Sequence, residues 1–260
     1  MDYNYHTHTF RCHHGTGTEE EYVLIAIENG IKYLGFSEHI QFQYEDGYQR
    51  RYRLEAEDMQ VYVSEVNRLK YKYRDYIDIK LGFEMEYYAD YFDKMLNTAK
   101  SSGAEYLILG QHFYIPDHPD FNPVYVLTDP ENTQLHLERY VDSVVEAVNT
   151  GVFSYVCHPD ILKTSCSKDK YQQEMKRICD ICIKTNTPVE INLLGIRGNR
   201  IYPNVDFWEV AGKTGVPVTI GSDAHNPIDV YDSASLEKAK QIIKEHNLNY
   251  IGKPTLRPIK

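Results

Sequence analysis

The chain is poor in several things, and each shortage excludes something. Its apolar runs last only a few residues, so no segment is long enough to cross a bilayer as a helix. The opening residues MDYNYHTH have neither a basic stretch nor an apolar one, so no secretory leader is read there and the expected location is cytoplasmic. Positive charge is short: 28 Lys and Arg stand against 38 Asp and Glu, giving a net charge of −10. That leaves no broad cationic face for a nucleic-acid backbone, and nucleic acid is a disfavoured partner. A small anionic substrate stays open, because bound divalent cations can reverse the local sign. The five cysteines (Cys12, Cys157, Cys166, Cys179, Cys182) are odd in number and lack disulfide-framework spacing. Cys179 and Cys182 read CDIC inside a helical pattern without a second pair, which suits packing thiols better than a closed zinc site. Polar linkers and breaks in composition are also missing, so residues 1–260 are expected to form a single domain.

What is present is a regular alternation of short β-type runs and helical patterns. Strands are expected at residues 2–8, KYLGFSEH, IDIKLGFEMEY, EYLILGQH, FSYVCHP, PVEINLL and VPVTIGSDAH. Helices are expected after Thr18, a plausible cap with Glu21 three residues on, and then over about 55–74, 89–101, 132–149, 168–184, 204–214 and 233–245. About seven βα units in a row predict a parallel sheet covered by helices, and at this length a barrel.

Four of the eleven histidines, His6, His8, His13 and His14, fall within nine residues. His6 and His8 end the first strand, and their i, i+2 spacing puts both side chains on one face. His39 follows the second strand, Glu84 lies late in the third, and His112 follows the fourth. His158 ends the fifth, and Asp223 and His225 end the seventh. All project to the rim where βα barrels carry their chemistry. Imidazole and carboxylate ligands suit Zn²⁺, Mn²⁺ or Fe²⁺. With His14 added, seven histidines and two carboxylates exceed the needs of one ion; they fit two or three, with Glu84 placed to bridge. A multinuclear site of that kind is a hydrolase architecture. Adjacent loop residues point apart, so only one of His13 and His14 is expected at the ions. Glu86 shares a face with Glu84, and Asp160 is either a partner orienting an imidazole or a helix cap. His118, His136 and His246 read as surface residues, and the 23 tyrosines as rim and interface packing.

The stretches HTHTFRCHHG, SEH, GFE, GQH, CHPD and GSDAHNP, in that order at strand ends, resemble the PHP (polymerase and histidinol phosphatase) superfamily. Within it the chain is most similar to the stand-alone histidinol-phosphate phosphatases. The resemblance implies a distorted (β/α)7 TIM-like barrel with three divalent metal ions at the carboxyl ends of the strands. It also implies that His6, His8, Glu84 and Asp223 hold one ion, His14, His39 and His225 a second, and Glu84, His112 and His158 a third. His14 rather than His13 is selected by the match. The chain departs from the family pattern at Asn4, where an Asp is frequent, at GQHF, and at GNRIYP after Arg197; the metal set is untouched.

The expected activity is hydrolysis of a small phosphorylated metabolite, with L-histidinol phosphate as the foremost substrate and Glu84, Asp223, His225 and Arg197 as the catalytic residues. Arg197 is also the first candidate for the phosphate, followed by Lys163 and Arg53, while Arg50, Arg51 and Arg200 read as surface cations. The loops 40–54 and 113–131 are long, aromatic and placed to act as lids. Competing readings are phosphotyrosine or nucleotide as substrate, an amidohydrolase-like enzyme, and a metal-binding sensor or scaffold without turnover.

Overall fold

The computed structural model describes residues 1–129, 131 and 133–259. The expected helix start at residue 132, residue 130 of the second lid loop and residue 260 lie outside the described residues. Eight parallel strands run in sequential order: β1 (Tyr3–Asn4), β2 (Tyr33–His39), β3 (Asp78–Met85), β4 (Tyr106–Leu109), β5 (Phe153–Val156), β6 (Val189–Asn192), β7 (Pro217–Gly221) and β8 (Asn249–Tyr250). The helices between them are α1 (Glu19–Glu28), α2 (Met59–Lys72), α3 (Ala89–Ser101), α4 (Gln134–Asn149), α5 (Lys168–Thr185), α6 (Leu193–Arg197), α7 (Val205–Thr214) and α8 (Ser233–Glu245). Among the described residues no helix is long and apolar enough to cross a membrane.

The sheet curls into a distorted TIM-like barrel. Beyond β1 the chain continues alongside the end of β7: His8 N donates to the Ala224 carbonyl at 2.9 Å, and Ala224 N donates to the His6 carbonyl at 3.3 Å. Seven strands therefore surround the mouth, as expected. The eighth is an addition, a two-residue exposed strand paired with the base of β7, too short to leave an apolar pattern.

Local signals account for most boundaries. Thr18 and Glu21 form a reciprocal capping box on α1, and Asn186 closes α5 in the left-handed region at φ 52°. β6 ends sooner than its apolar tail suggests. The Asn192 side chain accepts the Gly195 N–H at 3.1 Å and caps α6, so Leu193 and Leu194 turn into a helix instead of extending the strand.

Tyrosine fills the inside of the barrel as well as its rim. Tyr3, Tyr5, Tyr106 and Tyr155 pack there with Ile108 and Cys157. The Tyr106 ring lies where a Cβ on Gly35 or Gly82 would stand, and its hydroxyl donates to the carbonyls of Tyr5 at 2.8 Å and Phe36 at 3.1 Å. A large ring fits this narrow interior only because two strands carry glycine and its polar end finds backbone acceptors.

Candidate metal centre

Glu84, late in β3, is the hub. One carboxylate oxygen lies 3.0 Å from His8 Nε2, 3.1 Å from His39 Nδ1 and 3.3 Å from His6 Nε2. The other lies 3.1 Å from His158 Nε2 and 3.7 Å from His112 Nε2. Asp223 Oδ1 lies 3.4 Å from His6 Nε2, 3.5 Å from His8 Nε2 and 3.4 Å from His225 Nδ1. His14 completes the group, its Nε2 3.0 Å from that of His225. All nine expected ligand residues thus meet at the mouth. Donor atoms of His6, His8 and Asp223, of His6, Glu84 and His158, and of His8, His39 and His225 form groups close enough for one ion each. Gly110 leaves the space the Glu84 carboxylate occupies, where a Cβ would overlap it. His158 and Asp223 adopt positive φ, 29° and 48°, a conformation that costs energy outside glycine and concentrates at functional sites.

The electrostatics suit cations. Burial, reinforced by neighbouring imidazoles, pulls His14 and His225 down to about 4, and burial also lowers His8 and His39, so these four are neutral near pH 7. Burial opposes charge on Glu84 too, but His39, His6 and His112 outweigh it and hold the carboxyl well below its ordinary range. His14 Nδ1 donates to the Cys12 carbonyl at 2.7 Å, and His225 Nδ1 stands 3.2 Å from the Asp223 carbonyl. Each imidazole therefore turns an Nε2 lone pair toward the other, a repulsive contact unless a cation lies between. A divalent ion shared by the two nitrogens would remove that repulsion. His8 Nε2 is buried, and its 3.0 Å approach to Glu84 lacks hydrogen-bond geometry. The residues fit divalent metal.

The PHP domain model matches residues 4–193. The chain belongs to the PHP domain family. A protein of Deinococcus radiodurans named probable histidinol-phosphatase is 26% identical over 228 residues, covering 86% of each chain. A histidinol-phosphatase of Bacillus subtilis is 23% identical, with 86% of this chain and 94% of that one aligned. Among solved structures, the histidinol phosphate phosphatase of Lactococcus lactis, complexed with zinc, L-histidinol and phosphate, superposes with a TM-score of 0.74 at 20% identity, covering 100% of this chain and 98% of that one.

Around the centre of this PHP domain lies a layer of buried glutamates. Glu190 on β6 accepts His6 Nδ1 at 2.9 Å and the Asn192 amide at 2.8 Å, and Gly221 leaves room for it. Sequence reasoning missed Glu190; its inward position in VEIN was the available signal. Glu38 Oε2 faces His8 Nδ1 at 3.9 Å, and burial raises that carboxyl to about 8 although Thr9 donates to its other oxygen twice. Glu86 accepts His112 Nδ1 at 3.0 Å, so it supports a ligand where Glu84 is shared among them.

The cationic residues are arranged otherwise than expected. Arg197 does not line the mouth: its guanidinium reaches Asp229 at 3.3 Å and Asp232 at 3.4 Å, and donates to the carbonyls of Ser222 and Asp223 at 3.2 Å. It braces the loop after β7. Lys163 is exposed and lines neither cavity at the centre. Arg53 does face a cavity, but its charge is already matched by Glu86 at 2.7 Å and Asp117 at 2.8 Å. Among the described residues, the cations lining the cavities without such matching are two first read as surface residues. Arg50 lines a chamber of about 370 Å³ with Tyr52, Phe113 and Tyr125, and its Nε has no partner among the described residues. Arg200, bonded to the Tyr202 hydroxyl at 2.9 Å, lines a second chamber of about 220 Å³ over Glu84, His158 and Asp223. His14, His39, His112 and Tyr125 border both chambers.

Three other expectations change or resolve. His118 is buried, its Nε2 2.9 Å from Asp46. Asp160 orients no imidazole; it accepts Asn204 N at 2.6 Å and Trp208 Nε1 at 2.9 Å and so secures the start of α7. His13 stays exposed at the rim, its Nε2 3.3 Å from Glu55 and away from the cluster.

Proposed function

We propose that this PHP protein is a metal-dependent phosphomonoesterase that converts L-histidinol phosphate to L-histidinol and phosphate, in the cytoplasm, using three divalent ions drawn from zinc, manganese or iron. The observation that carries the reading is the meeting of nine ligand-type residues between two chambers, one narrow and metal-facing, the other wide and aromatic. His6, His8, Glu84 and Asp223 would hold one ion, His14, His39 and His225 a second, and Glu84, His112 and His158 a third. When bound, such ions make water nucleophilic near neutral pH and offset the charge on phosphoryl oxygens.

The chain itself supplies positioning. Arg200 extends fixed positive charge over the smaller chamber, where the phosphoryl group belongs, and Arg50 does so at the wall of the larger one. Tyr52, Phe113 and Tyr125 offer ring faces to the leaving alcohol. Glu86 and Asp117 together offset both Arg53 and Arg50 in the wall of that chamber, which leaves it close to neutral toward a cationic amino alcohol. No lysine lines either cavity among the described residues, which disfavours the amidohydrolase reading.

The test is phosphate release by purified protein, with Mn²⁺ or Zn²⁺, from histidinol phosphate, p-nitrophenyl phosphate, phosphotyrosine and nucleoside monophosphates. Histidinol phosphate should give the highest kcat/KM. A higher value for phosphotyrosine or a nucleotide would reassign the substrate, and no release from any ester would remove the phosphatase reading. Elemental analysis of the metal-saturated protein should find three equivalents of metal; fewer than three would rule out the trinuclear centre.

A further inference from the structure

A chain of buried contacts runs from one metal-site imidazole to the loops over the larger chamber. His112 donates to Glu86 Oε1 from Nδ1 at 3.0 Å and from its backbone N–H at 3.1 Å. Glu86 Oε2 accepts Arg53 Nη2 at 2.7 Å and the Tyr88 hydroxyl at 2.8 Å. Arg53 Nε donates to Asp117 Oδ2 at 2.9 Å, and Asp117 Oδ1 accepts the Tyr44 hydroxyl at 2.8 Å. Glu86, Arg53 and Asp117 are at most 4% exposed, so each lost partner would leave an uncompensated buried charge. Arg53 and Tyr44 belong to loop 40–54, Asp117 to the loop that follows His112. A second contact ties the same loops, with the His118 ring between Tyr44 and Tyr48 and its Nε2 on Asp46.

The other supporting glutamates differ. Glu190, behind His6, takes its second bond from Asn192 at the end of the same strand, and Glu38, behind His8, is held by Thr9. His112 is thus the imidazole whose support passes through both lid loops. It also makes the longest of the five imidazole contacts to Glu84, at 3.7 Å, so its aim rests most on Glu86.

We propose that Glu86 is a positioning residue for His112, and that the Arg53–Asp117 clasp makes retention of the ion at Glu84, His112 and His158 conditional on the two loops being closed together. This rests on the trinuclear reading above. Coupling of this kind is reciprocal, so filling that position tightens the loops.

Equilibrium dialysis of the full-length protein against Mn²⁺, followed by elemental analysis, tests it. Wild type should hold three ions. Arg53→Met and Asp117→Asn should weaken one of them by about 10–100-fold, the range for lost support of a ligand, and leave two unchanged. Arg53→Lys should recover part of that loss, which general damage to the fold would not allow. In wild type, Mn²⁺ should slow chymotryptic cleavage within loop 40–54, and in His112→Ala that protection should be lost. Tyr44→Phe, which deletes a single hydroxyl, gives a milder version if Arg53→Met does not fold. Three ions bound with wild-type affinity in Arg53→Met, or equal protection in His112→Ala, would overturn this inference alone. Fewer than three ions in wild type would overturn the trinuclear reading and this inference with it.

Discussion

His13 and His14 are neighbours in the chain and separate in the fold. His13 adopts φ 60° at the close of a short 3-10 turn and leans on Glu55, while His14 is held by the Cys12 carbonyl and turned to His225. At the residue scale this predicts a sharp asymmetry. His14→Ala should lower kcat/KM by more than about 100-fold, beyond the range for residues that only support a ligand. His13→Ala should stay within about twofold, since His13 touches none of the nine ligand residues and its contact with Glu55 lies at the rim. Steady-state kinetics on the two variants decides it; equal losses would mean the wrong histidine has been placed at the ions.

At the scale of elements, the join of β5 to α7 carries a titratable group. Burial raises the Asp160 carboxyl to about 7, despite the N–H donors of Asn204 and Trp208. In the unfolded chain it titrates near its ordinary value, about 3.9. Between those values the folded form holds a proton that the unfolded form has released. Its contribution to stability is therefore complete below about 4, declines as pH rises, and levels off above about 7. Asp160→Asn should gain on wild type steadily across that window. Urea unfolding of metal-stripped protein at pH 4.5, 6 and 7.5, followed by the fluorescence of Trp208, the single tryptophan, measures this. A constant difference between the two proteins would refute it.

At the scale of the whole molecule, the barrel gathers Glu84, Asp223, Glu86 and Glu190 at one mouth, with Arg53 as the buried cation among them. Divalent ions relieve that concentration of charge, and a ligand bound only by the folded state stabilises it by about 2.7 kcal/mol at a hundred times its Kd. Chelation should therefore lower Tm by several degrees, at roughly 2–4 °C per kcal/mol for a chain approaching this size, and added Zn²⁺ or Mn²⁺ should restore it. Differential scanning calorimetry makes the comparison; an unchanged Tm would mean that bound ions do not stabilise the fold.

The alternation of strands and helices, the helix caps and the rim positions of His6, His8, His39, Glu84, His112, His158, Asp223 and His225 were legible in the amino-acid order alone. Side-chain period and capping chemistry act over a few residues, and strand ends in a parallel barrel face one way. Packing in three dimensions set the direction of long side chains and the identity of distant partners. Arg197 turned aside because Asp229, Asp232 and two carbonyls from the loop after β7 claim its guanidinium, whereas Arg200, three residues on, lines the smaller chamber. Glu190 became the partner of His6 across 184 positions, and Arg53 that of Asp117 across 64. No local pattern encodes such pairs: a charged side chain with several rotatable bonds settles where the folded surroundings place its counter-charge.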